Sequence, residues 1–148
     1  MSKSAQSEKF TFSIKGIEIL DFNLIYPPPD IKDIKTFNFN INAEQKISIE
    51  NNILLNLITV DILNEDNVTK LGSIKVNLIF EIANFEEFID EKTKNLILPG
   101  EVLLVMNSLS ISTTRGVMFS QFKGTHLHNA ILPVIDPKQM TNQLNKTK

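Results

Sequence analysis

From Phe10 the chain alternates. Phe10, Phe12 and Ile14 take one side and Thr11, Ser13 and Lys15 the other, the two-residue period of a half-buried strand. The phase slips at Gly16, where Ile17 and Ile19 carry the apolar side. It slips again at Leu20, after which Leu20, Phe22, Leu24 and Tyr26 carry it. Two slips in one run predict a long strand bent by bulges. Pro27-Pro28-Pro29-Asp30 ends it, because prolines bring no N–H to a ladder. Phe37, Phe39, Ile41 and Ala43 then alternate with Asn38, Asn40 and Asn42, and the phase runs on to Ile47 and Ile49 as a second strand. Asn51-Asn52 predicts a two-residue turn, asparagine tolerating positive φ. Ile53 to Leu63 is apolar on both faces, as an inner strand is. After a turn at Asn64 to Asn67, Ile74, Val76, Leu78, Phe80 and Ile82 alternate with Ser73, Lys75, Asn77, Ile79 and Glu81. Turns this short demand antiparallel neighbours.

The period then changes. Beyond Asn84, a residue that can cap, Phe85, Phe88 and Ile89 with Glu86, Glu87, Asp90 and Glu91 describe a short helix led by acids, with Lys92 and Lys94 near its end. Leu98-Pro99-Gly100-Glu101 opens a long helix, and Val102, Val105, Met106 and Leu109 recur at three- and four-residue spacing, widened by Leu103 and Leu104. So wide an apolar face must be covered by a sheet of its own chain or by another subunit. Arg115-Gly116 is read as its end, a cation in the last turn before a glycine free to turn left-handed. An almost uncharged stretch from Val117 to Ile135 follows, broken by Gly124 and Pro133. Asp136-Pro137 starts a short C-terminal helix in which Met140 and Leu144 share a face. The fold class expected is α+β: a four-stranded antiparallel sheet with a long helix, a short preceding helix and a C-terminal helix packed on one side.

Size and charge narrow the function. A chain of 148 residues suits one domain, taken as 10–148, behind a disordered lead-in over 1–9. A net charge of −2 offers no densely basic face for nucleic acid or an anionic membrane. With no cysteine there is neither a disulfide framework nor a thiolate metal site. Met1 to Lys9 lacks the apolar core of a secretory signal, and no window reaches about 18 consecutive apolar residues, so a soluble cytoplasmic protein without membrane insertion is expected.

Candidate chemistry is sparse. His126 and His128, two apart, share a face if extended and could begin a zinc site, but no cysteine or carboxylate close in sequence completes it; the plainer reading is a polar stripe. Ser108, Ser110, Ser112, Thr113 and Thr114 lie inside the long helix, where they act as nucleophiles only beside a base. There they are better read as small residues that permit close packing or bond back to carbonyls. Arg115 could bind an anion, and helix end-capping also explains it. No catalytic constellation emerges and no enzyme is expected.

The order of pieces resembles the SecB export chaperones and their SecB-like relatives, including those attached to toxin–antitoxin systems. Phe10-Thr11-Phe12-Ser13-Ile14 with Asp21 and Pro27 is similar to that family's first strand, and Phe80-Glu81-Ile82-Ala83-Asn84 to the end of its fourth. Leu98-Pro99, the long helix, Arg115-Gly116, an apolar crossover, Pro133 and Val134-Ile135-Asp136 follow in the family's order. The resemblance spans Phe10 to Leu144.

It implies an ATP-independent chaperone with no cofactor, holding unfolded or nascent polypeptides in apolar grooves. A dedicated adaptor for one partner, an antitoxin or a secretion substrate, is the alternative on the same fold. By position, Phe37, Phe39 and Ile41 of the second strand and Met118, Phe119 and Phe122 of the crossover match groove-lining residues. The same side chains could instead seal the core. Assembly as a dimer of dimers, or a dimer, would use Phe12 and Ile14 in strand pairing and Val102, Val105, Met106 and Leu109 in helix packing. Two departures bear on the translocation motor as a partner. Ile25 and Ser73 stand where carboxylates are expected, and the tail from Lys138 to Lys148 is basic.

Overall fold

The computed structural model describes residues 11–31 and 34–136. Four strands, β1 (Phe12–Leu24), β2 (Phe37–Ser48), β3 (Ile53–Asn64) and β4 (Lys70–Ile82), form one antiparallel sheet in the order β1-β4-β3-β2. A helix, α1 (Gly100–Gln121), lies across β3 and β4 on one face. The doubly apolar β3 is an inner strand, as its composition requires, and β1 reaches β4 only by closing a long loop around the intervening hairpins. The lead-in and the C-terminal helix read from the sequence lie outside the described residues.

Both phase slips in β1 are bulges. Its register against β4 shifts between Ile14 and Gly16 and again between Ile19 and Asp21. Each extra residue re-phases the strand, so Ile14, Ile17, Ile19 and Phe22 stand opposite Phe80, Leu78, Val76 and Ile74, all on the face that carries α1. The β2–β3 connection is longer than a two-residue turn. Ser48 pairs with Ile53, and Asn52 takes φ 56° at the end of the four-residue link. In the β3–β4 turn the Asp66 carboxylate accepts the Thr69 hydroxyl at 2.6 Å and the N–H groups of Thr69 and Val68 at 2.8 and 2.9 Å. These bonds, the hydroxyl foremost, hold its carboxyl below the ordinary range.

Two helical expectations are corrected. The acidic segment after β4 makes a single 3-10 turn, Phe85–Phe88, after which Ile89 bridges to Leu96. Lys94 takes positive φ within that small hairpin. A helix of two turns would need a second row of apolar anchors, and only Phe85 is deeply buried. The long helix does not stop at Arg115-Gly116 but continues to Gln121, and the left-handed glycine is Gly124, at φ 81°. Arg115 is drawn off to carbonyls beyond the helix, so it does not cap the end, and buried Met118 and Phe122 make the added turn worthwhile.

The core lies between sheet and helix. Phe80, Phe85, Phe122, Leu54, Ile58, Ile62 and Met106 are fully buried, each contributing about 1.5–3 kcal/mol by its removal from water. After α1 the chain folds back over the β1–β4 end of the sheet, burying Leu127, Ala130 and Leu132. This return demands a glycine at position 72, where a Cβ would stand 2.5 Å from Leu127 Cδ1 and 2.7 Å from the Asn23 carbonyl oxygen. Gly72→Ala is therefore expected to destabilise the fold by about 1–3 kcal/mol, since the obstacle includes backbone. Gly116→Ala, with nothing within 4 Å of the added carbon in mid-helix, should instead stabilise it by about 0.5–1 kcal/mol. Urea unfolding midpoints of the two variants check the contrast.

Candidate functional site

The helix–sheet contact holds a buried polar cluster. Asn56, in the middle of β3, is fully buried beneath α1. Its Nδ2 donates to Asn107 Oδ1 at 3.2 Å and to Ser110 Oγ at 2.8 Å. Ser110 in turn donates to the Met106 carbonyl at 2.8 Å, and Thr114 to that of Ser110 at 2.7 Å. The serine and threonine run of the helix thus serves packing and back-bonding, with no base beside it. The inner face of α1 holds Met106, Asn107, Ser110, Ile111, Thr114 and Met118. Gln45, opposite Asn56 in the ladder, brings a buried Nε2 to the same region; among the described residues it has no hydrogen-bond partner, nor have Asn56 Oδ1 and Asn107 Nδ2.

With Asn107, Ser110 and Thr114 taking up part of the inner face, several apolar groups are left outside. Val105 is 48 % exposed and Phe119 50 %, with Leu109 between them on the outer side of the helix. By length and composition α1 could cross a bilayer, but the Asn56–Asn107–Ser110 bonds dock it on its own sheet. The sheet shows a similar surplus. Because α1 lies chiefly over β3 and β4, much of the re-phased apolar row of β1 stays open, with Ile17 49 % exposed, Ile14 and Ile19 beside it, and Phe22 only part-covered by Phe122. Leu20, Ile25 and Tyr26 are exposed near the same edge, as are Ile47 and Ile49 at the end of β2. Among the described residues, no further strand pairs with the outer side of either edge strand.

The residues singled out for client binding therefore separate. Phe37, Phe39 and Ile41 lie half-buried along β2, packed against the core while still meeting solvent. Phe119 is open, its ring centroid 6.3 Å from that of His128. Met118 and Phe122 are each only 1 % exposed, and Phe122 packs on Phe22 with ring centroids 5.7 Å apart. Of the residues assigned to assembly, Ile14, Val105 and Leu109 are exposed and Phe12 and Val102 are half-buried, while Met106 is fully buried under the sheet. Sequence reasoning missed Ile17, Ile19 and Phe22 as surface candidates. The signal was there in the two phase slips, which keep them on one side.

The histidines do not converge. His126 Nε2 faces the Leu71 carbonyl at 3.0 Å, and since a carbonyl only accepts, that nitrogen carries the proton; the ring stacks on Tyr26 at 4.9 Å. His128 Nδ1 accepts the Gly124 N–H at 3.1 Å. Among the described residues no three His, Asp or Glu side chains gather as metal ligands would. Arg115, half-buried in mid-helix, donates from Nε to the Leu132 carbonyl at 2.7 Å and from Nη2 to that of Pro133 at 2.8 Å, strapping the returning chain to α1.

On the face away from α1, charges are paired rather than uniformly acidic. Lys15 meets Glu81 at 2.7 Å and Lys70 meets Asp61 at 3.1 Å, while Lys75 stands opposite Asp21 in the ladder. The Ser73 hydroxyl accepts a long hydrogen bond from Asn23 Nδ2, at 3.4 Å.

No protein-family model and no curated protein matches this sequence. Among solved structures, the chain is similar in fold to the Mycobacterium tuberculosis SecB-like chaperone Rv1957, determined in complex with a ChAD peptide from the HigA1 antitoxin. The TM-score is 0.53 at 7 % identity, over 84 % of this chain and 89 % of that one. The architecture is thus a SecB-like α+β fold, reached with almost no shared sequence.

Removing the central amide tests how the helix is held. Asn56→Ala should destabilise the protein by about 2–4 kcal/mol, combining a cavity with two acceptors left without their donor. Far-UV circular dichroism through a urea titration measures it.

Proposed function

We propose that this chain is a SecB-like chaperone that binds non-native polypeptides through apolar surface, without ATP, any cofactor or catalysis, in the cytoplasm. One observation carries the reading. A fold whose core is already formed leaves a second set of aliphatic and aromatic side chains open, on β1, along the outside of α1 and beside β2, next to strand edges that have no strand partner among the described residues. An unfolded chain offers the complement: apolar side chains and unpaired backbone that can add to an edge. The likeness in fold to a SecB-like chaperone supports the same reading.

Part of that surface serves self-assembly. The β1 edge and the outer stripe of Val105 and Leu109 suit a second copy of this chain, giving a dimer or a dimer of dimers. The half-buried rings of Phe37 and Phe39 and the open ring of Phe119 then remain for clients. A narrower reading, an adaptor for one partner, draws on the antitoxin peptide held by the similar chaperone. Coupling to a translocation motor is disfavoured by the paired charges of the far sheet face and by Ser73 in place of a carboxylate.

Purified protein at one chain per client is expected to suppress aggregation of a chemically unfolded protein, unchanged by added ATP. Failure with every client at that ratio rejects the chaperone, and tight binding of a single folded or peptide partner alone favours the adaptor. Phe39→Asp combined with Phe119→Asp should weaken client binding about tenfold while cooperative melting persists. If melting is lost together with binding, the two rings belong to the core. Val105→Asp should lower the solution mass measured by light scattering, because a charge in a packed apolar contact is costly, and an unchanged mass removes α1 from the interface.

A further inference from the structure

The flank of α1 holds a cleft that borders the helix–sheet contact and shares Asn107 with it. It encloses about 250 Å³ between the helix and the returning chain, walled by Asn107, Ser108, Ile111, Ser112, Arg115 and the Val134-Ile135 pair. Every polar side chain among these described residues can donate a hydrogen bond, and none is a carboxylate. Asn107 is 1 % exposed, its Oδ1 is committed to Asn56, and its buried Nδ2 has no partner. Arg115 uses two of its five N–H groups on neutral carbonyls, and among the described residues no carboxylate answers its charge.

We propose that this cleft is a binding site for a carboxylate group on an apolar stem. One positive charge, one buried amide donor and two hydroxyls match a monoanion, whereas a phosphate dianion calls for more than a single fixed cation. Ile111, Val134 and Ile135 supply the wall against which an aliphatic stem packs. The carboxylate belongs either to a polypeptide, as an acidic side chain or a C-terminus, or to a free aliphatic acid. The basic stretch Lys138 to Lys148, whose lysines would add repulsion to Arg115, is a poor source of it.

Hexanoate is the probe, with hexanamide as its neutral counterpart. Titrated into the full-length ¹⁵N-labelled protein, hexanoate should shift the Asn107 side-chain amide and the Arg115 Nε–H signals saturably, with a Kd of about 1 mM, as suits so small a ligand. Hexanamide should bind at least about tenfold more weakly. Val134 is 94 % exposed, so Val134→Asp leaves the fold alone while setting a negative charge at the mouth. It should weaken hexanoate about fivefold at low salt and less at high salt, while Val134→Ala keeps most of the affinity. Arg115→Gln should abolish the shift at Asn107. No saturable shift, equal binding of the amide, or undiminished binding by Val134→Asp overturns the site.

Two peptides identify the source, one with a free C-terminus and no acidic residue, the other amidated with a single glutamate. Tighter binding of either than of hexanoate assigns the site to polypeptides, and equal or weaker binding of both assigns it to a free acid. The site stands apart from the chaperone reading. Hexanoate binding can fail while aggregation is still suppressed, and the reverse holds equally.

Discussion

A primary amide sealed between a sheet and a helix has few ways to be satisfied. Asn56 sits at the centre of β3 with none of its surface exposed, so its Nδ2 must be met from above, and α1 meets it with Asn107 and Ser110. Leaving such a donor unpaired costs about 1–3 kcal/mol, a sizeable part of the stability of a small domain. An apolar helix resting on an apolar sheet can roll about its axis at little cost. This one cannot, because a turn of one residue's angle would strand the amide and its two partners together. The rotation is thereby fixed, and the apolar residues not on the inner side, Val105, Leu109 and Phe119, are held outward.

The sheet reaches a similar result by another route. Two bulges keep an apolar row of β1 on the helix side along the strand, although α1 lies chiefly over β3 and β4. Strand and helix together therefore present more apolar surface than the fold consumes. In an isolated small domain that surplus would be a liability. On the chaperone reading proposed above, it is the material for contacts with copies of itself or with clients.

The returning segment after α1 closes the far end of the sheet and also gives the helix a second neighbour. Leu127 presses on Gly72, and Arg115 holds the carbonyls of Leu132 and Pro133. The arginine is thus a strap with a charge to spare. A guanidinium that bonds neutral carbonyls keeps its positive field, and that field falls on the cleft beside it.

Local pattern was enough for a good deal. The alternation of Phe37 to Ile49, the apolar run of β3, the phase slips at Gly16 and Leu20 and the Pro99 start of the helix all express short-range rules, and sheet and helix followed them. Tertiary structure alone decided the rest. It carried α1 past Arg115 to Gln121, since the carbonyls that take up the guanidinium arrive from seventeen or more residues downstream. It reduced the acidic helix to one 3-10 turn, and it drew Met118 and Phe122 inward while leaving Phe119 out. It also chose which side of the helix faces the sheet. By hydropathy Val105 and Leu109 belong inside and Asn107 outside. The order is reversed because the partner of Asn107 is a buried amide on a strand some fifty residues earlier, and no local period records a complement that distant.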